Sequence, residues 1–255
     1  MPTTISCAVR NESILLRLDS TNEGGPRRNY EMWRARTYAE KEPDTLDWID
    51  GFDVPRPPDD DVVFFDVGAN MGLYALYAAK RWGNRISVLG FEPEALNFAK
   101  LSGNIVLNGL SGRVIPYCVA IGGKTGLSRF YANRFQPGAA LHALGEPITQ
   151  GAKRFEPGSE QGTVSFTLDD LVYAYGAPTP RYVKIDVDGI EAEIIDGASR
   201  LLSDRCLESV LVEVYMDGEK AERIIVAFDA AGMVLSNSEP VDYSTGTVTN
   251  LIFRR

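Results

Sequence analysis

The stretch Phe64–Lys80, FFDVGANMGLYALYAAK, decides the fold. Val62, Val63, Phe64 and Phe65 run as a buried strand would, and the pattern breaks at Asp66. Gly68 and Gly72 follow, with Ala69 and Asn70 between them, and from Leu73 the apolar spacing becomes helical. A strand that turns into a helix through so short a link begins a β-α-β unit. Its turn and the free amides of its helix face a crevice beyond the strand ends. Glycines in the turn let a ligand approach the backbone closely.

Working outward, apolar runs alternate with helical patterns. Strands are expected at Val62–Phe65, Ile86–Gly90, Val114–Ile121, Tyr182–Ile185 and Val210–Val214. Helices are expected at Leu73–Trp82, Pro93–Asn104, Leu168–Tyr175, Ile190–Leu202 and Glu219–Ala231. This rhythm predicts an α/β domain with a mostly parallel, doubly wound sheet, and the tail from Val234 supplies an antiparallel C-terminal strand pair. Between Gly122 and Gly162 the rhythm fails, and a long functional or mobile loop is expected there. Upstream, residues 1–28 read as a polar leader with a possible edge strand at Ile14–Leu18. Helices are expected at Asn29–Ala39 and Leu46–Phe52. The proline- and acid-rich VPRPPDDD (Val54–Asp61) reads as a connector, which divides the chain into a leader and helical cap (1–60) and a ligand-binding domain (61–255).

The acid before the turn narrows the ligand. A dinucleotide site wants G-x-G-x-x-G, a spacing that Gly68 and Gly72 do not give, and Asp66 would oppose a pyrophosphate. S-adenosylmethionine carries a sulfonium and an ammonium and no phosphate. Glu92, at the end of the second strand, stands where an acid accepts hydrogen bonds from ribose hydroxyls. The backbone near Cys118, Val119 and Ala120 is the expected rest for adenine, and Asn70 is expected at the methionine end. Asn104 and Asn108 read either as further contacts or as helix terminators.

Three motifs together resemble the FkbM family of S-adenosylmethionine-dependent O-methyltransferases: D-V-G-A-N-M-G (Asp66–Gly72), G-F-E-P (Gly90–Pro93) and K-I-D-V-D-G-I-E (Lys184–Glu191). The similarity extends to KEPDTLDWID (Lys41–Asp50), LDDL (Leu168–Leu171) and VLVEV (Val210–Val214). The resemblance implies a Rossmann-like class I methyltransferase with a small-molecule or sugar hydroxyl as acceptor. This chain departs from the family pattern at Asp188, often Glu, and at Ile190, commonly a small residue or His.

Transfer to a neutral hydroxyl calls for a base. Asp186, with Lys184 and Glu191, is expected to line the junction of acceptor and methyl donor. His142, the one histidine, lies in the aberrant loop and is a fourth candidate. No metal is assigned, although Asp186 and Asp188 with Glu191 or Glu213 form an alternative Mg²⁺ set. A nicotinamide-dependent oxidoreductase and a non-catalytic S-adenosylmethionine-binding protein are the competing readings.

Composition is compatible with these expectations. Hydrophobic residues make up 44% and charged residues 24% of 255, and the net charge of −9 argues against a nucleic-acid partner. No apolar run approaches the roughly 20 residues of a membrane span. Without a secretory pattern, and with three scattered cysteines, a cytoplasmic protein with reduced thiols is expected. A homo-oligomer is left open.

Overall fold

The computed structural model describes residues 2–19, 29–54, 62–216, 218–241 and 248–255. The connector proposed at Val54–Asp61, and with it the 60/61 domain boundary, falls almost wholly outside them, as does the NEGGPRR end of the expected leader.

The chain opens with a hairpin of β1 (Thr3–Val9) and β2 (Glu12–Leu18), followed by α1 (Tyr30–Thr37) and α2 (Pro43–Asp50). β3 (Val62–Val67), α3 (Leu73–Trp82), β4 (Ile86–Phe91), α4 (Ala95–Leu107) and β5 (Val114–Tyr117) come next. An excursion of β6 (Ala120–Ile121), β7 (Gly126–Ala132), β8 (Ala143–Leu144) and β9 (Ser159–Phe166) precedes α5 (Leu168–Tyr173) and β10 (Tyr182–Ile185). The chain ends through α6 (Glu191–Asp196), α7 (Ser199–Ser203), β11 (Ser209–Tyr215), α8 (Glu219–Ala230), β12 (Val234–Pro240) and β13 (Val248–Arg254).

The main sheet has the order β12-β13-β11-β10-β3-β4-β5. Its five inner-chain strands are parallel, and β13 and β12 add the expected antiparallel pair. From β3 the chain builds outward first through β4 and β5, then on the other side through β10 and β11. The order therefore reverses at β3/β10, where a crevice opens beyond the strand ends.

Alternation along β3 assigns each side chain to a face. Phe64 joins the core under the hairpin, α3 and α4, whereas Phe65 and Val67 join the core under α6, α7 and α8. The first core also takes in the N-terminal elements. Trp48 of α2 packs edge-on against Phe52, Phe64 and Tyr182, and its indole N–H donates to Ser209 Oγ at 2.9 Å. Phe52 stacks on Tyr182 with centroids 3.8 Å apart. The elements on either side of the 60/61 boundary thus share one apolar interior.

Four expectations change. The leader contains the expected strand at Ile14–Leu18, within β2, but it is a hairpin and its interior is apolar: Val9, Ile14, Leu16 and Leu18 are fully buried. Asn108 caps the end of α4, as the terminator reading has it, and with Asn104 it also grips β2: Asn108 exchanges two hydrogen bonds with Leu15, at 2.9 and 2.7 Å, and Asn104 Oδ1 accepts from Arg17 N–H at 2.9 Å. These amides satisfy the open edge of β2. Val114–Ile121 is two strands, because the chain leaves the main sheet after Tyr117 and Ala120 pairs with Ser165 in a separate four-stranded sheet. That sheet also replaces the long loop expected between Gly122 and Gly162. Finally, Ile190–Leu202 breaks at Gly197. Asp169 of α5 accepts the backbone N–H groups of Arg200 and Leu201 at 2.9 and 2.8 Å, capping a fresh helix start. Gly197 is also pressed against Thr167.

Candidate active site

The crevice lies beyond the carboxyl ends of β3, β4 and β10. Gly68, Asn70, Glu92, Ala120, His142 and Asp186, all expected site residues, line it together with Arg34, Phe91, Asn97, Ile121 and Asp188. Asp66, Ala69, Gly72, Lys184 and Glu191 are not among its walls; each supports them from behind.

Gly68 sits at φ +81°, and a Cβ there would come 1.9 Å from the Asp186 carbonyl oxygen. It lines the crevice, but its conformation is required by the close crossing of two strand ends. Gly72, at φ +91°, leaves room for Leu101 of α4, which a Cβ would approach to 2.6 Å. The expectation that both glycines clear space for a ligand is corrected for Gly72: helix packing requires it. Ala69 turns its N–H to the Phe91 carbonyl at 3.0 Å, tying β3 to β4.

Asp66 is buried beneath the turn, where Oδ2 accepts from Ala75 N–H at 3.0 Å and Oδ1 has no hydrogen-bond partner among the described residues. Burial pushes its pKa up to about 6, although nearby Lys184 pulls the other way. Glu92 holds the opposite wall. Its Oε2 accepts from Asn70 N–H and its Oε1 from Glu94 N–H, both at 2.8 Å. Each oxygen keeps a second lone pair for a ligand hydroxyl. Burial raises the Glu92 pKa to about 8 despite those two amides.

The segment 138–142 forms the roof, stitched down from four directions. Asn70 Nδ2 and Asn97 Nδ2 donate to the Ala139 carbonyl at 2.9 and 3.2 Å. Asn97 Oδ1 accepts from Gly138 N–H at 2.7 Å, and Arg34 Nε donates to the Gly138 carbonyl at 2.6 Å. Asp188 Oδ2 accepts from His142 N–H at 2.8 Å. The side-chain amide of Asn70, expected on the ligand, is thus bonded to the roof.

The catalytic expectations are reordered by the same geometry. Lys184 is buried with Nζ 2.6 Å from Asp186 Oδ2 and 4.7 Å from the Tyr74 ring centroid. Burial opposes its charge, but Asp186, Glu42 and Asp66 outweigh this and raise its pKa; Lys184 is a locked cation and no base. Its ammonium holds Asp186 below the usual carboxylate range against the cost of burial, which makes Asp186 a weak base. Glu191 is buried and accepts from Gly189 N–H at 2.9 Å, bracing the β10–α6 turn; burial raises its pKa to about 8.

His142 is buried in the wall, and its Nδ1 accepts from Asn133 N–H at 3.1 Å. The proton of the neutral ring therefore sits on Nε2, which has no hydrogen-bond partner among the described residues. Burial lowers its pKa to about 4; the Ala139 carbonyl opposes this and Arg34 adds to it. With its lone pair occupied, His142 is a hydrogen-bond donor at neutral pH, which corrects its expected role as base.

Glu42, Asp186 and Glu213 bring carboxylate oxygens within 4.8 Å of one another, a different set from the one read in the sequence. The Lys41 ammonium lies 2.6 Å from Glu42 and that of Lys184 2.6 Å from Asp186, so this is an ion-paired group. Arg34 and Asn97 escaped the sequence reading because nothing local marks them; folding brings α1 and α4 to the roof.

Residues 66–235, about two thirds of the chain, match the Methyltransferase FkbM domain. The chain is 29% identical over 207 residues to the 31-O-demethyl-FK506 methyltransferase FkbM of Streptomyces tacrolimicus, covering 73% of this chain and 77% of that protein. It is 27% identical over 160 residues to the hexuronic acid methyltransferase AglP of Haloferax volcanii, covering 62% and 57%. The crystal structure of a methyltransferase FkbM from Methylobacillus flagellatus superposes with a TM-score of 0.51 at 12% identity, over 88% of this chain and 54% of that one. The chain thus spans little more than half the length of the latter two. Among the described residues no helix is long and apolar enough to cross a membrane. With the matched domain running through the crevice, the chain belongs to the FkbM methyltransferase family.

Proposed function

We propose that this protein is an O-methyltransferase that moves a methyl group to a hydroxyl of a small molecule or sugar. The observation that carries the reading is the sign of the crevice. Three acids, Glu92, Asp186 and Asp188, line it against the single cation Arg34 among the described residues, and a bound sulfonium and ammonium favour the ionised forms of these acids where a pyrophosphate would oppose them. The names of the two relatives, a 31-O-demethyl-FK506 methyltransferase and a hexuronic acid methyltransferase, support a hydroxyl-bearing acceptor.

The methyl donor is S-adenosylmethionine, whose sulfonium supplies an activated methyl group when bound. Glu92 is placed to take its ribose hydroxyls, with Phe91, Ala120 and Ile121 beside it as a surface for the base. Gly68 and Asn70 offer the turn to the amino-acid end, and Asp66 and Asp186 bias that end toward positive charge. Enclosure by the stitched roof aligns donor and acceptor, and alignment supplies roughly 7–11 kcal/mol of barrier reduction in reactions of this kind. Three unpaired cysteines fit a reducing, cytoplasmic setting.

Calorimetry with S-adenosylmethionine, S-adenosylhomocysteine and NAD tests the reading. Binding of the first two and no heat from NAD is expected; the reverse pattern overturns it. Methyl-labelled donor incubated with cell extract then reports, by mass spectrometry, whether label arrives on oxygen.

A further inference from the structure

A second cavity abuts the crevice behind His142 and Asp188, and both side chains line the two spaces. Its remaining walls include Asn133, Thr149, Gln150, Phe155 and Tyr215, from the small-sheet excursion and the end of β11. It holds no lysine or arginine among the described residues. Gln150 is anchored by its amide, which donates to the Val187 carbonyl at 3.4 Å. Gly151 lies 4.0 Å, measured from an ideal Cβ, from the Tyr215 hydroxyl.

Resting on the methyltransferase reading above, we propose that this second cavity is the acceptor subsite, that it takes an uncharged polyhydroxylated ring, and that Asp188 is the catalytic base. The chemistry of the walls selects the ligand. Two aromatic rings suit the C–H faces of a sugar, and amide and hydroxyl groups suit its oxygens. A carboxylate wall without a cation disfavours an acidic sugar.

The shared wall assigns the roles. Of the acids lining the crevice, Asp186 is neutralised by Lys184 and Glu92 faces the ribose side, whereas Asp188 belongs to both spaces and is tied, among the described residues, through backbone N–H groups. Its carboxylate accepts from His142 N–H, and burial raises its pKa to about 6, with Asp186 adding to the rise and Arg34 opposing it. It is therefore ionised at neutral pH and more basic than its paired neighbour. In the step, the acceptor hydroxyl gives its proton to Asp188 as its oxygen forms the new bond to the methyl carbon. The sulfur–methyl bond breaks, and sulfur keeps the electron pair as a neutral thioether. The Nε2–H of His142, without a partner in the wall, is available to a neighbouring acceptor oxygen.

The test uses the full chain and four proteins: wild type, Asp188→Asn, Asp188→Glu and Phe155→Ala. Each is assayed for donor binding by calorimetry and for transfer of labelled methyl to neutral methyl hexopyranosides, methyl hexuronosides and simple phenols. Wild type is expected to label neutral glycosides above the other two classes. Asp188→Asn, nearly isosteric and still able to accept the His142 amide, should lose about 10²–10⁴-fold in turnover at unchanged donor affinity. Asp188→Glu should recover part of it, and Phe155→Ala should raise the acceptor KM alone. The acidic limb of the wild-type pH profile, near pH 6, should vanish in Asp188→Asn; Asp186, Arg34, Glu92 and Glu191 are the other charged groups coupled to that carboxylate. Donor binding without transfer to neutral glycosides, hexuronosides labelled above them, or full turnover in Asp188→Asn overturns the subsite and leaves the methyltransferase reading standing. Absence of donor binding overturns both.

Discussion

Lys184 and Asp186, two residues apart across the end of β10, form an ion pair of 2.6 Å in which the lysine is only 1% exposed. Alternation puts both on the same side of the strand, facing Tyr74, Asp66 and the Glu42 carboxylate. The pair joins the cofactor wall to the N-terminal elements, since Glu42 precedes α2. Removing one partner of a buried pair leaves an uncompensated charge, which costs about 3–5 kcal/mol. Lys184→Met is therefore expected to lower unfolding free energy by about that amount in urea titrations, and Lys184→Met/Asp186→Asn by clearly less. Equal destabilisation of the single and double variants would show that the pair does not act as a unit.

A contrast between two glycines tests whether the β3 turn is fixed by contact or by conformation alone. Gly68→Ala combines a left-handed φ with a 1.9 Å approach to backbone, whereas Gly83→Ala at φ +61° meets nothing within 4 Å. The second change is expected to cost about 1–3 kcal/mol, the usual penalty for an L-residue held in a glycine-type backbone region, here φ +61° and ψ −130°. The first must displace the end of β10 and should abolish donor binding along with far more stability. Thermal melts of both variants, with and without S-adenosylhomocysteine, read the difference.

If His142 is a donor and no base, its replacement should follow hydrogen-bonding capacity. His142→Gln keeps an N–H at comparable reach and is expected to hold more activity than His142→Ala, by about tenfold for one lost hydrogen bond. Neither change should move the pH profile between pH 5 and 8, because the ring is already neutral there with a pKa of about 4. Steady-state rates across that range decide it; a limb that moves with His142 would restore its role as base.

What could be read without coordinates follows from how local the cause was. β3, its turn and α3 were legible because strand, turn and helix signals lie in one stretch of sequence, and Tyr182–Ile185 because its aromatic and β-branched residues run into an acid- and glycine-bearing turn of the same kind. Of the hairpin, β2 was legible as an edge strand at Ile14–Leu18, whereas β1 was not because Thr3–Val9 is largely exposed; the amides of Asn104 and Asn108, distant in sequence, then tie β2 to the end of α4. The small sheet was hidden for a similar reason, its strands alternating between exposed polar and half-buried positions amid glycine and proline. At the site, sequence located the acids but could not rank them. Which carboxylate is neutralised by a lysine and which faces a cavity depends on the side of a strand end that each residue occupies, and Asp186 and Asp188 differ in little else.

The Glu92 proton should report on donor binding. With its pKa near 8 the carboxyl is largely protonated at pH 7, and a cationic ligand whose ribose donates to the carboxylate favours the ionised form. Binding therefore releases a proton, and affinity should rise with pH up to about 8. Titrations at pH 7 in two buffers of different ionisation enthalpy are expected to give different heats at the same Kd. Glu92→Gln should erase that difference and weaken binding about 10–100-fold, the worth of a hydrogen bond to a charged group.

The same buried acids set the pH dependence of stability. Glu92 and Glu191 have pKa values raised by burial to about 8, against ordinary values near 4 in the unfolded chain, so the folded state binds more protons between those limits. Stability must then fall as pH rises through that window. Asp66 and Asp188, raised to about 6, act in the same sense at lower pH. His142 acts in the opposite sense, because its pKa is lowered from 6.5 to about 4 and the unfolded chain binds more protons between those values. The two effects oppose each other below pH 6.5, and from there to pH 8 the two glutamates dominate. Each ~1 kcal/mol lost over that interval lowers the melting temperature by about 2–4 °C in a chain of this size. Scanning fluorimetry of the ligand-free protein is expected to show the decline between pH 6.5 and 8. Saturating S-adenosylmethionine should lessen it, since the bound donor holds Glu92 ionised in the folded state and leaves the Glu191 share. A melting temperature that rises over the same interval would mean that these carboxyls are already ionised in the free protein.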